Sequence, residues 1–106
     1  MQGGLCSNLD LSQEELLEVP DFIGDLVELE NLDLSHNKIK EVPDFLRNCH
    51  KLKRLDLSYN RLEKITPFIS ELVNLEEIVL RQNEFLEVPD FLGHCHKLKK
   101  LDLRIS

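Results

Sequence analysis

Two cysteine–histidine pairs are the side chains of this sequence best suited to chemistry. Cys49 is followed by His50, and Cys95 is followed by His96, 46 residues further along the chain. Thiolates and imidazoles are common zinc ligands, so the two pairs together have the composition of a metal site. The chain also has 20 acidic residues, which could act as general acids or bases where two of them meet in a pocket. Either chemistry depends on the elements that position these side chains.

Both pairs lie inside a segment that the chain repeats. Residues 41–57 read EVPDFLRNCHKLKRLDL, and residues 87–103 read EVPDFLGHCHKLKKLDL. A shorter period of 23 residues lies within this one, with segments of one pattern beginning at Cys6, Leu29, Leu52, Leu75 and Leu98. Internal repetition of this length is typical of solenoids. The sequence predicts a single repeat domain over 1–106, with units 6–28, 29–51, 52–74 and 75–97 and a partial unit 98–106.

Each unit contains two hydrophobic spacings. In the second unit Leu32 and Leu34 alternate with polar residues, which indicates a short strand, whereas Ile39, Val42 and Leu46 recur more widely, which indicates a turn and a brief helical piece. Proline precedes aspartate in the later part of three units and suits the start of a helical turn. The pattern predicts five short parallel strands centred near Leu9, Leu32, Leu55, Ile78 and Leu101.

The repeat pattern LxxLxLxxNxLxxVPxxLxxL resembles the leucine-rich repeat. Its 23-residue form with a proline is similar to that of intracellular scaffold proteins, including Scribble-like and Ras-pathway adaptor proteins. The resemblance covers nearly the whole chain. It implies an α/β fold, a curved leucine-rich repeat solenoid with a short-stranded parallel sheet on its concave face. It also implies that Asn37, Asn60 and Asn83 bridge loop backbones, whereas Glu14 takes this place in the first unit and predicts a less well closed turn.

Stacked units turn like positions into columns through the structure. Phe22, Phe45, Phe68 and Phe91 form one column, which we interpret as a packed spine, with an exposed apolar stripe as the alternative. Two strand columns place opposite charges next to each other: Glu30, Lys53, Glu76 and Lys99 in one, and Arg54, Glu77 and Lys100 in the other. Such cross-strand alternation accounts for a 46-residue superperiod. A recent duplication or a designed repeat accounts for it equally well.

The columns weaken the metal hypothesis. Cys49 and Cys95 lie two units apart, which places their Cα atoms roughly 10 Å from each other, too far for a disulfide and poorly placed for one tetrahedral ion. We therefore expect no metal and no cofactor. Cys6, Cys49 and Cys95 are expected to be free thiols that act as small core hydrophobes. Three unpaired thiols suit a reducing compartment, and with no secretory signal in the sequence we expect a cytoplasmic location.

Composition narrows the class of partner. The formal net charge of −7 and the pI of about 5.0 would repel a phosphate backbone, which argues against nucleic acid. The sequence has no apolar run of about 18 residues, the length that a membrane span requires. The acidic residues follow the repeat columns, with no interruption that would form a catalytic pocket, so we expect no enzyme. The resemblance implies a protein-binding module. The alternatives are a designed or truncated repeat array without a physiological ligand, and a regulatory subunit of an enzyme.

The predicted binding surface consists of strand residues that point away from the core and of residues at the strand exits. It comprises Asn31, Asp33, His36, Arg54, Asp56, Tyr59, Glu77, Val79, Arg81 and Gln82, together with Ser35 and Ser58. Aspartate is common in leucine-rich repeats at the position of Asp33 and Asp56. Val79 takes this position in the fourth unit with an apolar side chain that we expect to be exposed. Tyr59 near Val79, rimmed by Arg54 and Arg81, has the composition of an interface hot spot.

The last strand predicts a second contact. Leu101, Leu103 and Ile105 have no following unit to cover them in this sequence, and an uncovered strand edge favours pairing with another chain. We therefore expect self-association through this end. Fraying of the strand would relieve the same problem.

Overall fold

A computed structural model describes residues 7–63, 69, 71–85, 97 and 99–102 of the chain. Five three-residue strands recur along it: β1 (Asn8–Asp10), β2 (Asn31–Asp33), β3 (Arg54–Asp56), β4 (Glu77–Val79) and β5 (Lys100–Asp102). They form one parallel sheet in the order β1-β2-β3-β4-β5. The middle residues pair in register, Leu9 with Leu32, Leu32 with Leu55, Leu55 with Ile78 and Ile78 with Leu101, which confirms the predicted strand centres.

The return from one strand to the next contains a short 3₁₀ helix in the first two units. These helices are Asp21–Asp25 and Asp44–Asn48. Pro20 and Pro43 precede them in extended conformation, where a residue without an amide hydrogen loses nothing. The prediction of a proline-initiated helical turn is therefore confirmed for both. No helix among the described residues is long and apolar enough to cross a membrane.

The core lies between the sheet and the returns. Leu32, Leu55 and Ile78 point into it from consecutive strands and are at most 1% exposed. Leu34, Leu57 and Leu80 form the adjacent buried column, and Ile23 and Leu46 close the core from the 3₁₀ helices. Each buried aliphatic side chain contributes about 1.5–3 kcal/mol relative to an exposed one. Because like positions stack from unit to unit, a continuous core forms from units too small to have one.

Buried asparagines connect the turns that follow the strands. The Oδ1 of Asn60 accepts the N–H of Ile39 at 3.0 Å. Its Nδ2 donates to the carbonyls of Leu34, Leu57 and Ser58 at 2.9, 3.1 and 3.2 Å. One amide therefore satisfies backbone groups of two successive units that water cannot reach. Asn37 and Asn83 are arranged in the same way, which confirms the bridging role.

The first turn is closed, contrary to the expectation from Glu14. Asn37 of the second unit reaches back, and its Oδ1 accepts the N–H groups of Glu14 at 3.0 Å and Leu16 at 2.9 Å. The Glu14 side chain itself is exposed. Each asparagine serves the turn of the preceding unit, so the first turn does not depend on an asparagine of its own.

Charge alternation across strands is also present. Lys53 lies 3.7 Å from Glu30, Lys99 lies 3.7 Å from Glu76, and the Nε of Arg54 lies 3.2 Å from the Oε1 of Glu77. These pairs are largely solvent-exposed, so each contributes only about 0–1 kcal/mol. Their role is to prevent like charges from facing each other across strands.

Candidate functional site

The predicted binding residues of the strands lie together on the surface of the sheet that points away from the core, which we call the sheet face. The pairing register places Arg54 between Asn31 and Glu77, and Asp56 between Asp33 and Val79. Their spacing is that of adjacent parallel strands, about 4.8 Å. The structure therefore brings the six strand residues into one array.

The charged residues in the middle of this array are already paired. Arg54 donates from Nε to Glu77, and its Nη2 lies 3.6 Å from the Oδ2 of Asp56. Asn31 donates to the Oδ1 of Asn8 at 2.6 Å. Arg54 was predicted to rim an interface hot spot, and any contact that it makes with a partner's carboxylate would have to compete with Glu77 and Asp56.

The aspartates of the sheet face have a structural role. The Oδ1 of Asp33 accepts the N–H of Ser35 at 2.9 Å and its hydroxyl at 2.6 Å. Asp56 and Ser58 repeat this arrangement at 3.0 and 2.7 Å. We call this arrangement the Asp–Ser clamp. Ser35 and Ser58 are only 6% and 5% exposed, so their placement on the accessible surface was wrong.

The fourth unit has no such clamp, because Val79 and Arg81 replace the aspartate and the serine. Val79 is half-buried, not exposed as predicted. Arg81 and Gln82 are also half-buried. The sheet face therefore changes character at β4, from clamped aspartates to a partly covered valine followed by an arginine.

The strand exits share an unusual backbone conformation. Gln13, His36, Tyr59 and Gln82 occupy one column, with φ angles of 56°, 58°, 57° and 56°. The N–H of Tyr59 donates to the carbonyl of Arg81 at 3.0 Å, and that of His36 donates to Ser58 at 3.0 Å. The column therefore extends the ladder of backbone hydrogen bonds past the strands. The left-handed conformation is imposed by the turn and is the same for each residue type found there.

Two rings stack on each other in this column. The centroids of His36 and Tyr59 are 4.4 Å apart, and the planes are inclined by 8°. Tyr59 is 42% exposed, and His36 is exposed as well. The structure therefore brings these two predicted residues together as one flat, accessible aromatic pair.

The cysteines do not form a metal centre within the described part of the chain. Cys49 is a free thiol and fully buried, and its Sγ lies 3.3 Å from the carbonyl oxygen of Ile23. Burial raises the pKa of the Cys49 thiol, because the thiolate would lose its hydration. The description of Cys49 as a small core residue is confirmed. No cluster of metal-ligating side chains occurs among the described residues, and Cys6, Cys95 and His96 lie outside them.

The phenylalanine column is not a uniform spine. Phe45 is half-buried against the core, whereas Phe22 is 49% exposed. The interpretation as a packed spine therefore fails at Phe22, whose side chain is exposed. Phe68 and Phe91 lie outside the described residues, as do Leu103 and Ile105 of the predicted self-association surface; Leu101 is described only as a paired residue of β5.

Sequence reasoning missed a groove between the first two returns. We call it the return groove; its volume is about 380 Å³. Glu18, Asp21 and Glu41 supply its acidic side chains, and its apolar lining comes from Val19, Pro20, Pro43 and Phe45. The uneven distribution of charge among the units is the sequence signal that could have drawn attention to it.

Comparison with solved structures shows the same fold in several proteins. The LRR ectodomain of the Arabidopsis thaliana receptor kinase GASSHO1/SCHENGEN3 is 36% identical, with a TM-score of 0.81, over 92% of this chain and 12% of that one. The functional domain of InlJ from Listeria monocytogenes is 23% identical, with a TM-score of 0.80, over 95% of this chain and 21% of that one. An internalin, inlF, from the same organism is 27% identical, with a TM-score of 0.71, over 80% and 25% of the two chains. This chain thus spans a quarter or less of the length of each.

Sequence comparison gives the same assignment. No curated protein sequence matches the chain significantly. A family model described as leucine rich repeat matches residues 50–104, and a model for two copies of leucine rich repeats matches residues 27–70. The first covers more than half of the chain, and together they cover residues 27–104. The chain belongs to the leucine-rich repeat family.

Proposed function

We propose that this chain is a non-enzymatic module that binds a polypeptide partner on its sheet face, centred on Tyr59. The observation that carries the proposal is the exposed His36–Tyr59 stack at the strand exits. A partner placed there would also meet Val79, Arg81 and Gln82 of the fourth unit. Unlike Asp33 and Asp56, which accept hydrogen bonds from Ser35 and Ser58, the Tyr59 ring is 42% exposed and accessible to a partner.

The turn does not require an aromatic residue at this position. A left-handed backbone is uncommon for a bulky residue such as tyrosine. Gln13 and Gln82 occupy the same backbone conformation with φ of 56°, so glutamine satisfies the turn. Large, flat and half-exposed side chains such as Tyr59 are those that most often anchor protein interfaces.

The change at β4 supports the same location. The backbone of Tyr59 is hydrogen-bonded to that of Arg81, two residues after Val79. The fourth unit has no clamp. It has the half-buried apolar side chain of Val79 and the guanidinium group of Arg81 in place of an aspartate and a buried serine. Apolar contact beside an arginine is a composition enriched in interfaces.

The solved relatives are consistent with a protein partner. The Arabidopsis ectodomain is seen in complex with CASPARIAN STRIP INTEGRITY FACTOR 2. Because this chain spans 12% of that protein, the relative supports the class of partner and not its identity.

The test is affinity capture followed by quantitative binding. The immobilised chain is used to capture partners, and each captured protein is then measured against variants by calorimetry. Tyr59→Gln removes the ring and keeps a residue that the column already accepts. We expect it to weaken binding by about 1–3 kcal/mol, with little change in Tm.

The matched control is Val73→Ala, which removes a 62%-exposed apolar side chain from a return. It should leave the affinity unchanged. A second variant, Val79→Asp with Arg81→Ser, gives the fourth unit the clamp sequence of the others and should also weaken binding. Equal affinity for wild type and Tyr59→Gln, with a loss in Val73→Ala, would move the site away from the sheet face.

A further inference from the structure

The net charge of the chain is concentrated in its first unit. Residues 6–28 contain seven acidic side chains and no basic one: Asp10, Glu14, Glu15, Glu18, Asp21, Asp25 and Glu28. The whole chain has 20 acidic and 13 basic residues, so the remainder is balanced and the formal charge of −7 belongs to this unit. The charge asymmetry is therefore a property of the first unit.

The second unit neutralises only part of this charge. Lys38 lies 3.7 Å from Glu15, and Lys51 donates to Glu28 at 2.7 Å. Among the described residues, Glu18, Asp21 and Glu41 form no ion pair. All three are exposed, and all three border the return groove. Their carboxylates are available to a cationic ligand.

The groove between these carboxylates also has apolar residues in its lining. Val19 is buried, and Phe45 is half-buried with its Cβ and ring directly over Gly24, where an added Cβ would lie 3.1–3.4 Å from Phe45. Pro20 and Pro43 complete the lining, and neither can donate a backbone hydrogen bond. The volume of about 380 Å³ lies within the range of ligand-binding pockets.

Exposed apolar side chains surround the same unit. Leu17 is 67% exposed, Phe22 49% and Val27 41%. Leu17 and Phe22 are close in sequence to the groove residues Glu18 and Asp21. The first unit therefore combines exposed apolar side chains with uncompensated charge, a composition typical of an interaction surface.

We propose that the return groove binds a basic peptide segment of a partner protein, one in which lysine or arginine flanks an apolar side chain. The cationic groups would pair with Glu18, Asp21 and Glu41, and the apolar side chain would contact Pro20, Pro43 and Phe45. Charge selects this occupant, because an acidic rim repels nucleic acid and anionic lipid. The surface is separate from the sheet face, and it does not depend on the function proposed there.

The probe is an eight-residue peptide of alternating lysine and leucine, titrated into ¹⁵N-labelled protein. We expect amide shifts to concentrate in residues 18–22 and 41–45. A peptide with glutamate in place of lysine should produce none. Binding should weaken about tenfold or more between 50 and 500 mM salt, because exposed ion pairs are screened over this range.

Glu18→Gln with Glu41→Gln tests the groove directly. Both side chains are exposed, so the fold should be unaffected, and we expect affinity for the lysine peptide to fall about tenfold. The control, Glu63→Gln with Glu84→Gln, makes the same change in net charge at two exposed positions in other units and should alter affinity less than about twofold. Tyr59→Gln should bind the peptide as the wild type does.

Three outcomes would overturn the proposal. Equal loss in both double variants would mean that total charge, not the groove, attracts the peptide. Shifts confined to the sheet face would assign the peptide to that surface. Competition between peptide binding and self-association, measured by sedimentation of the wild type and of the groove variant, would identify the occupant as a second copy of the chain.

Discussion

Two sets of polar residues, the asparagine column and the Asp–Ser clamp, recur along the solenoid, and they differ in whether every described unit from the second to the fourth contains them. The asparagine column is intact at Asn37, Asn60 and Asn83, each 7–8% exposed. The Asp–Ser clamp is present in the first three units and is absent from the fourth, where Val79 and Arg81 stand. The asparagine column is therefore present in the second, third and fourth units, whereas the Asp–Ser clamp is absent from the fourth unit, where the sheet face has a different composition.

The reach of the hydrogen bonds explains the difference. Asn60 bonds to residues 21 and 26 positions earlier, so its loss would affect two units at once. The bonds of Asp33 go to a residue two positions later, within one turn. A local, half-exposed interaction can be lost in one unit without disturbing its neighbours. The sheet face can therefore carry function while the buried turn carries stability.

The largest expected effect comes from breaking the asparagine column. In Asn60→Ala the N–H of Ile39 loses its partner in a buried site, while the carbonyls of Leu34 and Leu57 keep bonds from Asn37 and Asn83. An unsatisfied buried amide and the lost bonds together should lower the free energy of unfolding by about 2–4 kcal/mol. Denaturant unfolding followed by circular dichroism measures it.

Asn48→Ala is the control, because Asn48 is exposed at the end of a 3₁₀ helix. It should cost less than about 0.5 kcal/mol. If both variants unfold at the same denaturant concentration, the long-range bonds of the buried column are not the source of stability, and the contrast between the two columns fails.

The stacked sheet could be predicted from the sequence because equivalent residues of successive units lie next to each other. A period of 23 residues places Leu32, Leu55 and Ile78 in one column, and parallel pairing then follows from the need to bury that column. The alternating charges at Glu30 and Lys53 were predictable for the same reason. The position of a residue in a column shows which residue lies beside it on the next strand. This information is enough to predict the strand register and which charges face each other.

The details of the site were less predictable, because the position of a residue in a column does not show how deeply its side chain is buried. Nor does it show which of several neighbours a side chain pairs with. Arg54 could be placed beside Glu77, but its simultaneous approach to Asp56 depends on side-chain conformation. Burial of Ser35 depends on the turn, and Phe22 is exposed although Phe45, at the same position of the next unit, is half-buried. Closure of the first turn by Asn37 required knowing the direction in which the amide reaches.

Breaking a clamp should have an intermediate effect. Asp33→Ala removes the acceptor of both the N–H and the hydroxyl of Ser35, and Ser35 is nearly buried. We expect a loss of about 1–2 kcal/mol in the free energy of unfolding. Ser35→Ala removes the hydroxyl bond and keeps the amide bond, so it should cost less. A larger loss for Ser35→Ala than for Asp33→Ala would mean that packing of the serine, not the clamp, stabilises this turn.

The smallest effect is expected at the first clamp, and it appears as pH dependence. The hydroxyl of Ser12 donates to the Oδ1 of Asp10 at 2.6 Å, and its amide donates at 2.9 Å. These bonds favour the carboxylate and hold the pKa of Asp10 below its ordinary value. The folded pKa is lower than the unfolded one, so the contribution to stability is present above about pH 4 and is lost as pH falls through the folded pKa.

Ser12→Ala removes the larger of the two causes, so the pKa of Asp10 should rise towards its ordinary value, as measured by carboxyl ¹³C shifts. The difference in Tm between wild type and Ser12→Ala should be visible at pH 6 and should shrink as the pH falls and the carboxyl of Asp10 becomes protonated in the folded state as well. Ser7→Ala, at another exposed serine of the first unit, is the control and should leave the pKa of Asp10 unchanged. An unaltered pKa in Ser12→Ala would assign the effect to the backbone amide, and the clamp would then be a property of the turn, independent of the serine that accompanies it.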